Sequence, residues 1–238
     1  MMPDSHHYAM LISSLPYHES LFGARRTPLS RIRLHQRQHL LDEADLACLR
    51  VVADLLDWSH QGMERRDEEI TARARAVLPT LENAFARDLV AWRLELRTVS
   101  AALRRRHRGQ AAPSADDSWG YGRWLGHIGR HWSEPQFRLE RVYPWLSEAR
   151  TLLEAGDTLG MERLLLNANW EHLDRVAVGH EFDFEAVLIY SLRWDLVARW
   201  TGYRADEAAV RFEEMLEEGL QDLRLGDIIN GSIPENKP

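Results

Sequence analysis

The stretch from His180 to Leu220, HEFDFEAVLIYSLRWDLVARWTGYRADEAAVRFEEMLEEGL, constrains this chain more than any other part. It reads as two helices joined by a turn at Gly202, with Asp183 capping the first and Asp206 or a neighbour the second. The first helix is apolar on nearly every side, so other helices or a partner must cover it on several faces. The second carries a stripe at Ala209, Phe212, Leu216, Leu220 and Leu223. No group in or near this stretch is arranged like a catalytic centre.

The rest of the chain is also helical in pattern. Tyr8 to Leu15 is a short apolar run closed by Pro16. It is too brief for a helix with its own stability, so an extended N-terminal segment or a tucked arm is expected. Thr27 to Ser30 looks like a helix start, and Asp42 or Asp45 can cap the next helix, with its stripe at Leu46, Leu49, Val52 and Leu56. A charged helix from Arg65 to Val77 must break at Pro79. Leu81, Phe85, Leu89, Trp92, Leu96, Val99 and Leu103 then form a narrow seam on a long helix, suited to packing along another helix. That helix finishes in Arg104 to Arg108 and Gly109, where cations face the negative helix end and glycine supplies the left-handed cap.

Gln110 to Ser118 is small, polar and broken by Pro113, which marks a linker. Trp119 to His131 reopens a helix, Trp145 to Leu153 forms another before Gly156, and Asp157 caps one that continues to Val176. The expectation is therefore all-α, a multi-helix bundle in two lobes. Its parts are an N-terminal lobe 1–109, a linker 110–118, a C-terminal lobe 119–226 and a loose tail 227–238.

Composition narrows the chemistry. The formal charge is −7, and residues 181–238 hold 13 acids against 6 bases while the first 180 residues balance. This argues against nucleic-acid binding and gives the C-terminal quarter an acidic face for an Arg-bearing partner. Lys237 is the only lysine, so Schiff-base chemistry and a phosphate-loop lysine are absent. The single Cys48 rules out an internal disulfide and a Cys-cluster zinc site, and its helical setting reads as a packed thiol. No apolar run is long enough to span a bilayer, and the opening residues lack a signal peptide's basic start and apolar core. A cytoplasmic protein without direct membrane insertion is expected.

Few constellations remain. His127 and His131 share a helix face and could chelate a metal, as could His35 and His39, but neither pair implies a third ligand. No histidine follows a glutamate at the spacing of di-iron bundles. Gly120, Gly122 and Gly126 miss the dinucleotide spacing, and no strand precedes them. The arginines at 104–108 read as a solvated helix end, and Asp67 to Glu69 as a solvent face. No cofactor or catalytic residue is expected.

A resemblance adds to this. YAMLISSLP from Tyr8 to Pro16 resembles the Tyr-x-x-Leu-(Val/Ile)-x-Ser-Leu-Pro start of a bacterial family of unknown function whose genes lie among those of V/A-type rotary ATPases. WEHL at Trp170–Leu173, GHEFD at Gly179–Asp183 and VLIYSL at Val187–Leu192 resemble its second block. LVARW at Leu196–Trp200 and FEEML at Phe212–Leu216 continue that likeness. The middle, 65–130, shows no likeness, and Thr201 to Arg204 replaces the family's acidic and lysine-bearing segment. The family offers no catalytic residues to carry over.

The resemblance implies a non-enzymatic helical accessory protein that touches V/A-type ATPase subunits, at the membrane periphery through that complex. Phe182, Phe184, Tyr190, Trp194 and Trp200 are candidate docking or core anchors, and Glu213, Glu214, Glu217 and Glu218 a candidate acidic partner face. The alternative is a stand-alone helical adaptor or homodimer that uses the Leu81–Leu103 seam.

Overall fold

The computed structural model describes residues 8–56, 67–114 and 119–203, and among them every regular element is a helix. In chain order these are α1 (Ala9–Ser14), α2 (Arg31–Gln38), α3 (Glu43–Leu56), α4 (Asp67–Val77), a 3-10 turn (Leu78–Thr80) and α5 (Ala84–His107). Then follow α6 (Leu125–Arg130), α7 (Leu146–Glu154), α8 (Thr158–Val176) and α9, residues 184–203. Among the described residues no helix is long and apolar enough to cross a membrane.

Local chemistry sets most helix ends. The side chains of Ser30, Asn83, Asp157 and Asp183 each accept from a backbone N–H three residues on, starting α2, α5, α8 and α9. Pro79 stops α4, and the 3-10 turn takes the proline in its first positions. Gly109, at φ 71°, closes α5 with its N–H on Arg106 O while Gln110 N–H reaches Arg105 O.

α5 and α9 are the two central rods. From Leu94 to Leu103 every residue of α5 except Arg97 is buried, so this part of the helix is enclosed on all sides. Its inward polar groups satisfy themselves, Thr98 Oγ1 on Leu94 O and Ser100 Oγ on Leu96 O. The seam that suggested a second copy is filled from within the chain. Leu81, Leu89, Leu96, Val99 and Leu103 are all buried within the chain, while Phe85 and Trp92 are half-buried.

α9 is covered much as its composition requires. Phe184, Val187, Leu188, Ile189, Trp194, Leu196, Val197 and Trp200 are buried. Gln38 of α2 donates to Ser191 Oγ (3.0 Å), and Asn83 donates to Glu185 (2.9 Å). Arg199 pairs with Glu162 of α8. The expected turn at Gly202 is not seen, because residues 201–203 continue the helix. Glycine has no conformational need to break a helix whose preceding turns are held by packing.

Three further expectations are corrected. The N-terminal run is not extended but forms α1. Tyr8 N–H is anchored on Phe182 O (2.9 Å) and Leu11 is buried, so tertiary contacts hold a helix too short to persist alone. The helix expected from Trp119 to His131 shrinks to α6, because residues 119–124 are clamped onto α5. Tyr121 N–H donates to Thr98 Oγ1 (2.8 Å) and Arg123 N–H to Glu95 Oε1 (3.1 Å). At Gly122, φ 106°, a Cβ would lie 2.8 Å from Glu95 Oε1, so both the backbone angle and the space demand glycine.

The packing also does not divide at 110–118. The largest apolar cluster joins Leu11, Val52, Leu89 and Val90 to Leu166, Leu173, Leu188 and Trp200. A second cluster takes Val99 and Leu103 from the far end of α5 and packs them on Ile128, Phe137, Leu139 and Leu146. One helix therefore serves both cores, and the first core draws on both ends of the chain. Residues 115–118 of the expected linker and the whole tail 227–238 lie outside the described residues.

Candidate functional site

The anchors expected on α9 are used inside the chain. Phe184 and Trp200 belong to the main core, with Trp200 edge-on to Phe22 at 5.1 Å. The Trp194 indole donates to Leu29 O (2.8 Å) beneath the Arg31 guanidinium. Tyr190, half-buried, donates its hydroxyl to Pro16 O (2.9 Å), and the half-buried Phe182 supplies the carbonyl that holds Tyr8. Glu213, Glu214, Glu217 and Glu218 lie outside the described residues.

These contacts join segments far apart in sequence. The opening segment Tyr8–Pro16 lies against α9 through the Tyr8 to Phe182 and Tyr190 to Pro16 bonds. Tyr8 OH also donates to Asp45 Oδ2 (2.6 Å), tying the same segment to α3. His18 sits beside it, its Nε2–H on Tyr190 O (3.2 Å) and its ring 4.3 Å from the Tyr190 ring. Burial pushes His18 down to about 4, the Tyr190 carbonyl opposes that, and Arg193 reinforces it. Within and just after this segment Met10 and Tyr17 are well exposed, Tyr17 at 89%, as are Ile32 on α2 and Leu40 just beyond it.

The His127–His131 pair holds main chain. His127 Nε2–H donates to Phe137 O (2.8 Å) and His131 Nδ1–H to His127 O (2.9 Å), with the rings stacked at 4.2 Å. The first bond pins a turn in which Phe137 and Arg138 both have positive φ (55° and 57°). Arg106 secures the chain just before it, donating to the carbonyls of Trp132, Ser133 and Pro135. That role was missed in the sequence, where the arginine run reads as a solvated end. His35 and His39 are exposed.

Among the described residues one trio of possible metal ligands converges, His180, Asp183 and Glu185, within 4.8 Å of one another. Each already has a structural bond. His180 meets Asp183 (2.7 Å), Asp183 caps α9, and Glu185 accepts from Asn83. Cys48 is pushed up to about 11 by burial, then by Asp45 and Glu185, which makes it a poor nucleophile at neutral pH.

A cavity of about 200 Å³ lies among α3, α5, α8 and α9. Leu56, Leu89, Leu173, Leu192 and Leu196 form apolar walls, and Arg31, Arg93, Asn169, His172, Asp195 and Arg199 supply polar groups. Its flat wall is the Trp92 indole with the His172 imidazole stacked on it. Burial pushes His172 down to about 4, and Arg175 and Arg93 act the same way. No periodicity of the sequence pointed here, because its polar members are spread over α2, α5, α8 and α9.

Among the described residues the fold is an all-α bundle with two central helices and a cavity of mixed apolar and polar lining. No protein-family model, curated protein or solved structure matches the chain.

Proposed function

We propose that this chain is a non-enzymatic accessory of a V/A-type rotary ATPase, a stalk-like or assembly protein that acts by protein–protein binding. It works in the cytoplasm and reaches the membrane periphery only through that complex. The observation that carries the reading is the meeting of the two blocks that resemble the ATPase-associated family. Tyr8 N–H donates to Phe182 O, and Tyr190 OH donates to Pro16 O, so segments more than 170 residues apart form one packed unit. Motifs that fold together are the kind a shared binding role would keep together. Within and just after the Tyr8–Pro16 segment, Met10 and Tyr17 put apolar surface into solvent, and α9 with its buried aromatics backs the segment.

The test is affinity purification of the tagged full chain from its own cells. Stoichiometric recovery of ATPase stalk or rotor subunits is expected, with loss of those subunits in a Met10→Ser/Tyr17→Ser variant whose melting temperature is unchanged. Recovery of the chain alone, with no ATPase subunit at low or high salt, overturns the reading and favours a stand-alone adaptor.

A further inference from the structure

A cleft of about 170 Å³ opens between α2, α3 and α9. Leu34, Leu49, Val52 and Leu188, all buried, form its apolar walls. Four of its exposed lining residues are cationic or protonatable: Arg31, His35 and His39 from α2 and its end, and Arg50 from α3. The three on α2 stand four residues apart and share one helix face, and Arg50 joins them from the neighbouring helix.

The charges of this cleft do not balance. Asp195 of α9 is the one carboxylate among its lining residues, and it meets Arg31 at 3.6 Å. Among the described residues the side chains of His35, His39 and Arg50 have no hydrogen-bond or ion-pair partner. Burial, then Arg31, His39 and Arg50 close by, pushes His35 below its ordinary value. These groups repel one another until an anion enters. A metal ion is a poor occupant despite the two imidazoles, because two guanidiniums line the same cleft.

We propose that this cleft binds a soluble phosphomonoester with an apolar body about one ring in size. Its phosphate meets Arg50 and His35, and the body rests on the leucine and valine walls. Charge selects the class. A phosphomonoester carries nearly two negative charges at neutral pH, and Arg50 with one protonated imidazole supplies two positive ones. A carboxylate or a sulfate ester carries only one. Volume selects the body, since an apolar cavity of about 150 Å³ takes benzene and this cleft is of similar size. The site is independent of the ATPase reading, and either stands without the other.

Calorimetric titration of the full chain with phenyl phosphate tests it, with phenyl sulfate and inorganic phosphate as controls. Phenyl phosphate should saturate one site per chain, and each control should bind at least about tenfold more weakly. Arg50→Gln should weaken phenyl phosphate by at least about tenfold, whereas Arg108→Gln, at the exposed end of α5, should leave it unchanged. Binding should tighten at least about threefold from about pH 8 to about pH 6.5, and His35→Gln with His39→Gln should remove that dependence. All these positions are exposed, so the variants keep the fold and a loss reads the cleft. No saturation by phenyl phosphate at millimolar concentration overturns the proposal, as does equal binding of either control or an unaltered affinity in Arg50→Gln. Sedimentation with vesicles of equal parts phosphatidylcholine and phosphatidate should leave the chain in the supernatant. Pelleting would assign the phosphate to a lipid and overturn the soluble ligand.

Discussion

The imidazole of His172 lies flat on the indole of Trp92, with ring centroids 3.6 Å apart and planes 3° from parallel. The stack joins α8 to α5 at the edge of the cavity and takes its imidazole neutral, because burial, Arg175 and Arg93 all oppose the cation. A histidine in the middle of an apolar helix pattern thus serves as a flat packing surface.

Two neutral histidines make the fold sensitive to acid. His18 and His172 each fall from 6.5 to about 4 in the folded chain. The unfolded chain binds more protons between those values, so stability is complete above pH 6.5 and is lost as pH falls toward 4. Each pKa unit is worth about 1.4 kcal/mol, so the deeply buried His18 contributes up to roughly 3 kcal/mol and the half-buried, solvent-screened His172 less. Urea midpoints measured across this range should drop on acidification, and His18→Gln should flatten the drop. A flat profile in the unaltered chain would contradict the burial of both rings.

Two glycines of the same loop region should respond in opposite directions. Gly122→Ala places a side chain against Glu95 at a positive φ and should cost about 2–4 kcal/mol. Gly126 lies in α6 with nothing near its missing Cβ, so Gly126→Ala should stabilise by about 0.5–1 kcal/mol. Chemical denaturation of the two variants compares them directly.

Arg106 should stand out among the arginines that end α5. Its guanidinium spans the carbonyls of Trp132, Ser133 and Pro135, a geometry lysine cannot reproduce. Arg106→Lys should cost about 1–3 kcal/mol and raise amide exchange around residues 132–138. Arg108→Ala, at an exposed position, should stay within about 0.5 kcal/mol of the parent.

Tyr8→Phe removes the hydroxyl that donates to Asp45 Oδ2. A hydrogen bond to a charged acceptor contributes about 1.5–3 kcal/mol, so a loss of that order is expected, concentrated in α1. Amide exchange should rise at Ala9–Ser14 before it rises in α9. Uniform exchange across both would mean that α1 does not open by itself.

Much of the fold is legible in residue order. The stripe on α3, the break at Pro79, the caps at Asp157 and Asp183 and the glycine stop after His107 depend on neighbours within one or two turns. The sites are far less so. Asn169, Arg93 and His172 face one cavity from two helices, and each alone looks like a polar residue on a surface. Arg106 is one arginine among several until the loop carbonyls come to it. The seam of α5 showed one face, whereas its stretch from Leu94 to Leu103 is enclosed because its other positions include the small or self-satisfied residues Thr98, Ser100, Ala101 and Ala102.

By itself, the order of residues determined that this protein is built of helices, where most of them start and stop, and that α9 had to be wrapped. Those properties follow from periodicity, capping and backbone sterics, which act over a few residues. Only the tertiary structure decided that Tyr8 would find Phe182, that α5 would join two cores, and that a short apolar run would be a helix. Such outcomes depend on contacts between segments far apart in sequence. They gain their free energy from burial and complementary shape, and no local pattern records which surfaces will meet.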